Sequence, residues 1–347
     1  MIALEEVTTF AALEALAPEW SALYAACIEA TPFQSPEWLL PWWKYFGAGQ
    51  LWSLALRREG KLVGLAPFFI GALGERSRHL WMIGTGVSDY LDLLLHPEAA
   101  STGLGRIKEY LVLNRSRWDL CDFQELRAGS PLLSSFCDRD LFAKSLPQGV
   151  CPVLSLPERV EALRGRFAQG LQGSLRHAHK RLERSGGFSI KRATKEHLPE
   201  FLEAFFRLHQ ARWKKKEEEG VLADTTIRDF HQAVASGFAM RGSLRLYGLR
   251  HRGEIIAALY AFSKGERLYC YLSGFDPRFQ RFSPGAVILE AALREAIEEG
   301  IREADFLRGR ESYKYLWGAT DRINYRLWIW HASQMQGEWI ASESVAG

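Results

Sequence analysis

The amino-acid sequence predicts an α/β protein, more narrowly α+β, made of two tandem duplicated lobes. Each lobe is expected to hold a mixed, mainly antiparallel sheet flanked by helices. Three observations predict this. The chain has 347 residues, and at roughly 150 residues per domain that is material for two. Two segments repeat one pattern. Leu51 to Ile70 reads strand, turn at Glu59-Gly60, strand, and Ser243 to Phe262 reads strand, turn at Arg252-Gly253, strand. Each is followed by an aromatic strand, a helix and a closing strand that carries Asp-Phe, at Asp122-Phe123 and at Asp305-Phe306. An order of hairpin, strand, helix, strand that recurs about 190 residues later is the mark of a duplicated unit.

Taken in order, the aromatic strands are Arg78 to Ile83 and Arg267 to Gly274. The helices are Gly105 to Leu113 and Pro284 to Glu299. Pro and Gly cluster from Gln148 to Pro157, which divides the chain into lobes of residues 1–150 and 151–335, with 336–347 as a frayed tail. The second lobe opens with helices. Leu198, Phe201, Leu202, Phe205 and Leu208 fall at helical spacing, as do Ile227, Phe230, Val234 and Phe238 in a helix over Thr226 to Met240.

Composition narrows the function classes. A hydrophobic fraction of 47% and a charged fraction of 24% are those of a globular protein. A net charge of +3 does not by itself imply nucleic acid, and no DNA partner is expected. The opening MIALEEVTTF has acids where a signal peptide has bases, and the longest nearly apolar run, Leu62 to Leu73, is too short to span a bilayer. Cys27, Cys121, Cys137, Cys151 and Cys270 are scattered, without a CxxC pair, and read as reduced thiols. A cytoplasmic protein without a membrane span is expected. His177 and His179 lie two apart on a helix and face different sides, so no metal site is expected.

The most informative stretch is RLYCYLSGFDPRFQRFSPGAVILEAALREAIEEG, residues 267–300. A strand ends at Ser273-Gly274, and a loop with Arg278 and Arg281 follows. Ser283 reads as an N-cap, Pro284 takes the favoured first helical position, and Gly300 is a natural stop. Gly285 removes a side chain where a ligand approaches. A strand, a basic loop and a helix N-terminus form an anion site, because free amides and the helix dipole point the same way. A pyrophosphate suits it. A capped helix that binds nothing is the plain alternative.

This layout resembles the GNAT acyltransferase superfamily, in which acyl-CoA pyrophosphate lies on such a loop and pantetheine enters where two parallel strands splay. The expected glycine signature is degenerate here, reading RFSPGA. The chain is most similar to the BioF2-like branch, also called CelD-like, a group related to the Fem peptidoglycan aminoacyl transferases. The matching pieces are TPFQSPEWLLPWW, GTGVSDYLDLLL, LHQARW, YLSGFDPRFQRFSPG and DFLRGRESYKYLWGA. The resemblance implies a double GNAT fold with the acyl-CoA site in the second lobe and a first lobe lacking the cofactor loop. It implies acyl-CoA, acetyl or longer, as co-substrate. Tyr271, Leu272 and Ser273 would meet pantetheine through their main chain, and one main-chain amide would support a developing oxyanion. Arg278, Arg281, Phe282, Ser283 and Gly285 would meet the phosphates. The implied activity is N-acyl transfer from the thioester to an amine held between the lobes, the amine being a small molecule or a cell-envelope precursor. Two rivals stay open: a Fem-like transferase using aminoacyl-tRNA, and a non-catalytic accessory protein of exopolysaccharide or cellulose synthesis.

The remaining candidates each have a plain reading. Asp89, Tyr90 and Asp92 sit in an apolar run. The two acids either hold the acceptor amine or cap a turn. Lys314 and Tyr315 follow the closing strand. Lys314 holds an anion or lies on the surface, and Tyr315 protonates the leaving thiolate or packs in the core. Asp305 either orders that pair or takes part directly. His209 beside Arg212 is a base near neutral pH or a packed helix residue. No nucleophile spacing stands out, and direct attack by an amine needs none.

Overall fold

A computed structural model describes residues 1–73, 77–134, 141–214 and 224–331, with the side chains of residues 73 and 212–214 outside that set. The chain forms two units, one of Met1–Gly149 with Ile323–Gly347, the other Val150–Arg322. The tail at 336–347 and Cys137 lie outside the described residues.

The first unit runs β1 (Ile2–Val7), α1 (Phe10–Ala15), α2 (Ala17–Ala26), α3 (Pro36–Phe46), β2 (Gln50–Leu51), β3 (Ser53–Arg58), β4 (Lys61–Ala66), β5 (Phe68–Leu73), β6 (Ser77–Met82), β7 (Leu94–Leu95), α4 (Ala100–Leu113) and β8 (Leu120–Arg127). Glu59 (φ 52°) and Gly60 (φ 78°) both turn left-handed, the geometry that lets a two-residue turn follow the strand twist between β3 and β4. The apolar run at 62–73 is two strands, not one. It changes sheet at Pro67, which has no amide to give a ladder. β4 joins the sheet β1-β3-β4-β7, and β5 pairs with β2 and β6. α4 starts five residues before the expected Gly105 and buries Gly103, Ile107 and Leu111. β6 and β8, on either side of it, pair in parallel at His79–Leu120 and Leu80–Cys121.

β9 (Leu141–Ser155) leads into the second unit. There follow α5 (Val160–Leu163), α6 (Leu171–Arg184), β10 (Ser189–Arg192), α7 (Leu198–Lys214), α8 (Thr225–Met240), β11 (Leu244–His251), β12 (Glu254–Lys264), β13 (Arg267–Phe275), α9 (Pro284–Glu298), β14 (Glu303–Asp305), α10 (Ser312–Leu316) and β15 (Thr320–His331). The unit's sheet runs β10-β11-β12-β13-β14-β9. All its neighbours are antiparallel except β13 and β14, which α9 connects in parallel. Arg252 (φ 50°) and Gly253 (φ 84°) repeat the turn of the first hairpin. Alternate residues of β12 sort to two faces, as a pleat requires. Leu259 and Ala261 join the core beneath α6 and α9. Tyr260 and Phe262 pack on Phe205 of α7 (5.3 Å) and Phe238 of α8 (4.5 Å).

Both units thus contain antiparallel strands, a crossover helix and a parallel closing strand, the duplicated arrangement that the repeated sequence order predicts. The last strand departs from the expected lobe limits. From Ile323 onward β15 counts with the first unit, where Leu327 and Ile329 enter the core and Asn324–Trp330 pair with β8. Among the described residues no helix is long and apolar enough to cross a membrane, and no cluster of three metal-ligating side chains occurs.

Candidate active site

β13 pairs with β12 from Arg267 to Phe275, but with β14 only at Arg267, Leu268 and Tyr269. Past Tyr269 and Asp305 the two parallel strands part. Along that stretch Tyr271, Leu272 and Ser273 are half-exposed, as a strand edge open to a ligand must be. The register with β12 slips between Tyr260 and Ala261, so that Tyr271 is the extra residue of a bulge. A bulge bends its strand and re-aims the side chains beside it. Gly274 lets α7 approach. A Cβ there would lie 2.4 Å from the His209 amide nitrogen.

The strand leads into a 3-10 turn, Pro277–Phe282, capped by Asp276, whose carboxylate accepts from the Arg278 amide at 2.9 Å. That carboxylate also takes the Arg278 guanidinium (2.6 Å), which reaches Glu254 as well (3.2 Å). The arginine beside it holds the Asp276 carboxyl below its usual range. Arg281 instead lies over the Phe282 ring at 4.8 Å, and its carbonyl accepts from Arg181 at 3.0 Å. Of the two loop arginines, then, Arg278 is tied to acids and Arg281 is not.

Ser283 stands at the expected N-cap position but does not cap through its side chain. Its backbone is left-handed (φ 47°, ψ 48°). Its carbonyl takes the amides of Ala286 (3.0 Å) and Val287 (3.2 Å). Pro284 has no amide, and that of Gly285 has no acceptor among the described residues. A Cβ on Gly285 would find Phe275 at 3.7 Å, an ordinary contact, and no other described residue within 4 Å.

The segment after β14 is a knot of local bonds. Asp305 is fully buried and accepts from the Leu307 amide (2.8 Å) and from Arg322 (3.3 Å). Leu307 is left-handed (φ 57°). Lys314 is buried too. Its ammonium donates to the carbonyls of Leu307 (3.0 Å), Arg308 (2.8 Å) and Gly309 (3.0 Å), and pairs with Glu311 at 2.9 Å. This differs from both sequence readings of Lys314, which is neither on the surface nor positioned with donors to spare for an anion. Tyr315 is half-buried and donates to Asp321 at 2.8 Å. Burial and that carboxylate raise its phenol pKa, so it stays protonated near neutral pH.

His209 is buried on α7, its ring 5.9 Å from Phe205. The side chain of Arg212 lies outside the described residues. Sequence reasoning passed over the neighbour that matters to His209. His231 of α8 is buried and is pushed down to about 3 by burial and by the charge of His209. It packs on Tyr260 (5.8 Å) and Tyr271 (5.6 Å). No spacing signal joins residues 209, 231, 260 and 271. The pairing of β12 with β13 brings the two tyrosines together, and the packing of α7 and α8 on those strands adds the histidines.

In the first unit Asp89 and Tyr90 are buried. The Asp89 carbonyl accepts from Asn324 (2.9 Å), which also donates to Glu125 (2.8 Å). Tyr90 lies near Phe33, with the Arg127 guanidinium 5.8 Å from its ring. Asp92 accepts from Ser130 (3.0 Å) and from the Leu93 amide (2.8 Å), and burial pushes its carboxyl up to about 6.

Residues 171–315 match the family profile described as acetyltransferase (GNAT) domain, a span from α6 to α10 that contains the parting strands, the loop and the knot. No curated protein sequence matches the chain. Among solved structures, FemX superposes with a TM-score of 0.65 at 11% identity, over 94% of this chain and 96% of its own. A conserved protein of unknown function from Bacteroides thetaiotaomicron does so with 0.59 at 10%, over 95% and 100%. The C-terminal domain assigned to a lysylphosphatidylglycerol synthetase of Agrobacterium fabrum does so with 0.51 at 14%, over 79% and 82%. At such identities the likeness is one of fold. The second unit therefore carries an acetyltransferase (GNAT) domain over residues 171–315, and the chain as a whole shares its fold with FemX.

Proposed function

We propose that the chain transfers an acyl group from acyl-CoA to an amine, with the donor on the second unit. The observation that carries this reading is the parting of β13 from β14 after Tyr269, immediately before the loop that opens α9. A pantetheine arm lies along Tyr271, Leu272 and Ser273 and meets main-chain amides there. One of those amides supports the oxyanion that forms when the amine attacks the thioester carbon. The pyrophosphate lies against Arg281 and the Gly285 amide, with Arg278 held back by Asp276. A C–N bond forms and the C–S bond breaks. The amine loses its proton to a base or to water, and Tyr315 gives its proton to the leaving thiolate. Asp305 and Lys314 shape the segment that presents Tyr315. Asp89 and Asp92 are the proposed contacts of the amine acceptor, with Asp92 titrating in a range suited to taking a proton. A cell-envelope precursor amine fits the Fem-related fold, and a cytoplasmic setting fits the reduced cysteines.

The reading is tested by titrating acetyl-CoA into the full chain. Saturable binding is expected. Arg281→Ala should weaken it about tenfold, because a charge-assisted contact contributes about 1.5–3 kcal/mol and 1.4 kcal/mol is tenfold. Arg278→Ala should matter less. Absence of binding, together with transfer from an aminoacyl-tRNA, would overturn the donor assignment.

A further inference from the structure

A cleft of about 820 Å³ opens on the second unit between α6, α9 and the turn that follows α5, at Arg164 and Phe167. That volume is typical of a small-molecule site. Its floor is apolar: Phe167, Leu175, Val287 and Ala291. Four cations converge on it from three elements: Arg164, Arg176, Lys180 and Arg294. None of the four has an acidic partner among the described residues. The lining also contains three acids, but two are taken. Glu290 is buried and bonded to His179 (2.9 Å), and Glu295 pairs with Arg192 (2.8 Å). Glu298 remains, so the cleft keeps a surplus of positive charge.

The walls are fixed to one another. The His179–Glu290 bond ties α6 to α9. Phe167 stacks edge-on against Trp317 at 5.1 Å, and the Ala168 amide donates to the Leu316 carbonyl at 2.8 Å. A solvated basic helix face spreads its charges over a convex surface. Here the charges surround a concavity with a dry floor, and that combination selects an anion with an organic body.

We propose that this cleft binds an organic phosphate, its phosphate on Arg176, Lys180, Arg294 and Arg164 and its ring or chain on Phe167, Leu175, Val287 and Ala291. Several converging cations favour phosphate over a single carboxylate, because a phosphate presents three acceptor oxygens. The assignment does not depend on the donor reading. The phosphate belongs either to the nucleotide end of the CoA donor, since Val287 lies within one turn of the start of α9, or to a separate phosphorylated metabolite.

The test is calorimetric titration of the full chain at low salt with adenosine 3′,5′-bisphosphate and with phenyl phosphate. At least one probe should bind saturably. The double variant Arg176→Ala/Lys180→Ala should bind it at least tenfold more weakly, as should Arg294→Ala, and both losses should shrink as salt rises. Arg184→Ala, on the same helix but outside the cleft, should bind within twofold of the parent. These side chains are exposed, so thermal unfolding should not change. Displacement of the bisphosphate by acetyl-CoA would place the donor's nucleotide in the cleft, and simultaneous binding would assign it to a separate metabolite. If neither probe saturates, or if the double variant binds like the parent, the proposal fails.

Discussion

Lys314 brings a charge into a buried place where three carbonyls of one short loop already converge on it. Those carbonyls point inward because Leu307 and Gly309 take left-handed conformations (φ 57° and 107°), which Asp305 fixes from the other side through the Leu307 amide. Lys314→Met keeps the buried stem and removes the donors. It should cost about 1.5–3 kcal/mol in urea unfolding, the range for bonds to a charged group. Glu311→Ala, which removes the exposed partner, should cost less than about 1 kcal/mol. Equal losses would contradict the account of the knot. Asp92 gives a prediction in pH. Its folded carboxyl titrates near 6, above an unfolded aspartate near 3.9, so the folded state holds the proton more tightly and stability falls as pH rises between those values. Asp92→Asn, a mimic of the protonated form, should therefore stabilise the first unit by about 1–3 kcal/mol at pH 7.5 and by little at pH 4. The same gain at both pH values would show that the carboxyl is not displaced.

At the scale of elements, the contact of α7 with β13 depends on Gly274. Gly274→Ala sets a methyl against the α7 backbone, which is not the end of a flexible side chain, and should cost about 3 kcal/mol, the upper range of overpacking. Gly285→Ala meets only an ordinary contact and gains helix propensity, so its stability should be unchanged or up to about 1 kcal/mol higher. Thermal unfolding of the two variants separates them. Elements were also where the sequence was most informative. Glu59-Gly60 and Arg252-Gly253 signal their turns locally, and α9 ends within one residue of its predicted limit. The loop and knot were recognisable as strings of residues. What was not legible depends on partners far away in the chain. Ser283 reads as a cap by residue type, but its backbone is left-handed and its side chain accepts no amide of the helix. The run at 62–73 has the composition of one strand, and nothing local says that it serves two sheets. Lys314 reads as a surface lysine because its acceptors are carbonyls, which every residue has.

For the whole molecule, the decisive fact is that the chain leaves the first unit at Gly149 and comes back to it at Ile323. The returning segment supplies Leu327 and Ile329 to the core. It also supplies Arg326, which binds Asp122 at 2.6 Å, and Asn324, which binds Glu125 at 2.8 Å. A chain ending at Arg322 keeps every residue of the second unit and lacks a strand of the first. Hydrogen exchange on that truncated chain should show lost protection across β6 and β8, with β11 to β13 retained. Protection of β8 at the level of the full chain would mean that β15 is dispensable.

That return also sets an order of events on the ribosome. Glu125 and Asn324 are 199 residues apart. At 5–20 residues per second, β8 emerges and waits about 10–40 s for its neighbour to be synthesised. Throughout that interval its edge stays open, and the later-made unit receives β10 to β14 before β15 follows. The first half to be translated is thus the second to be finished, and any holding factor the nascent chain recruits has this strand edge as its target.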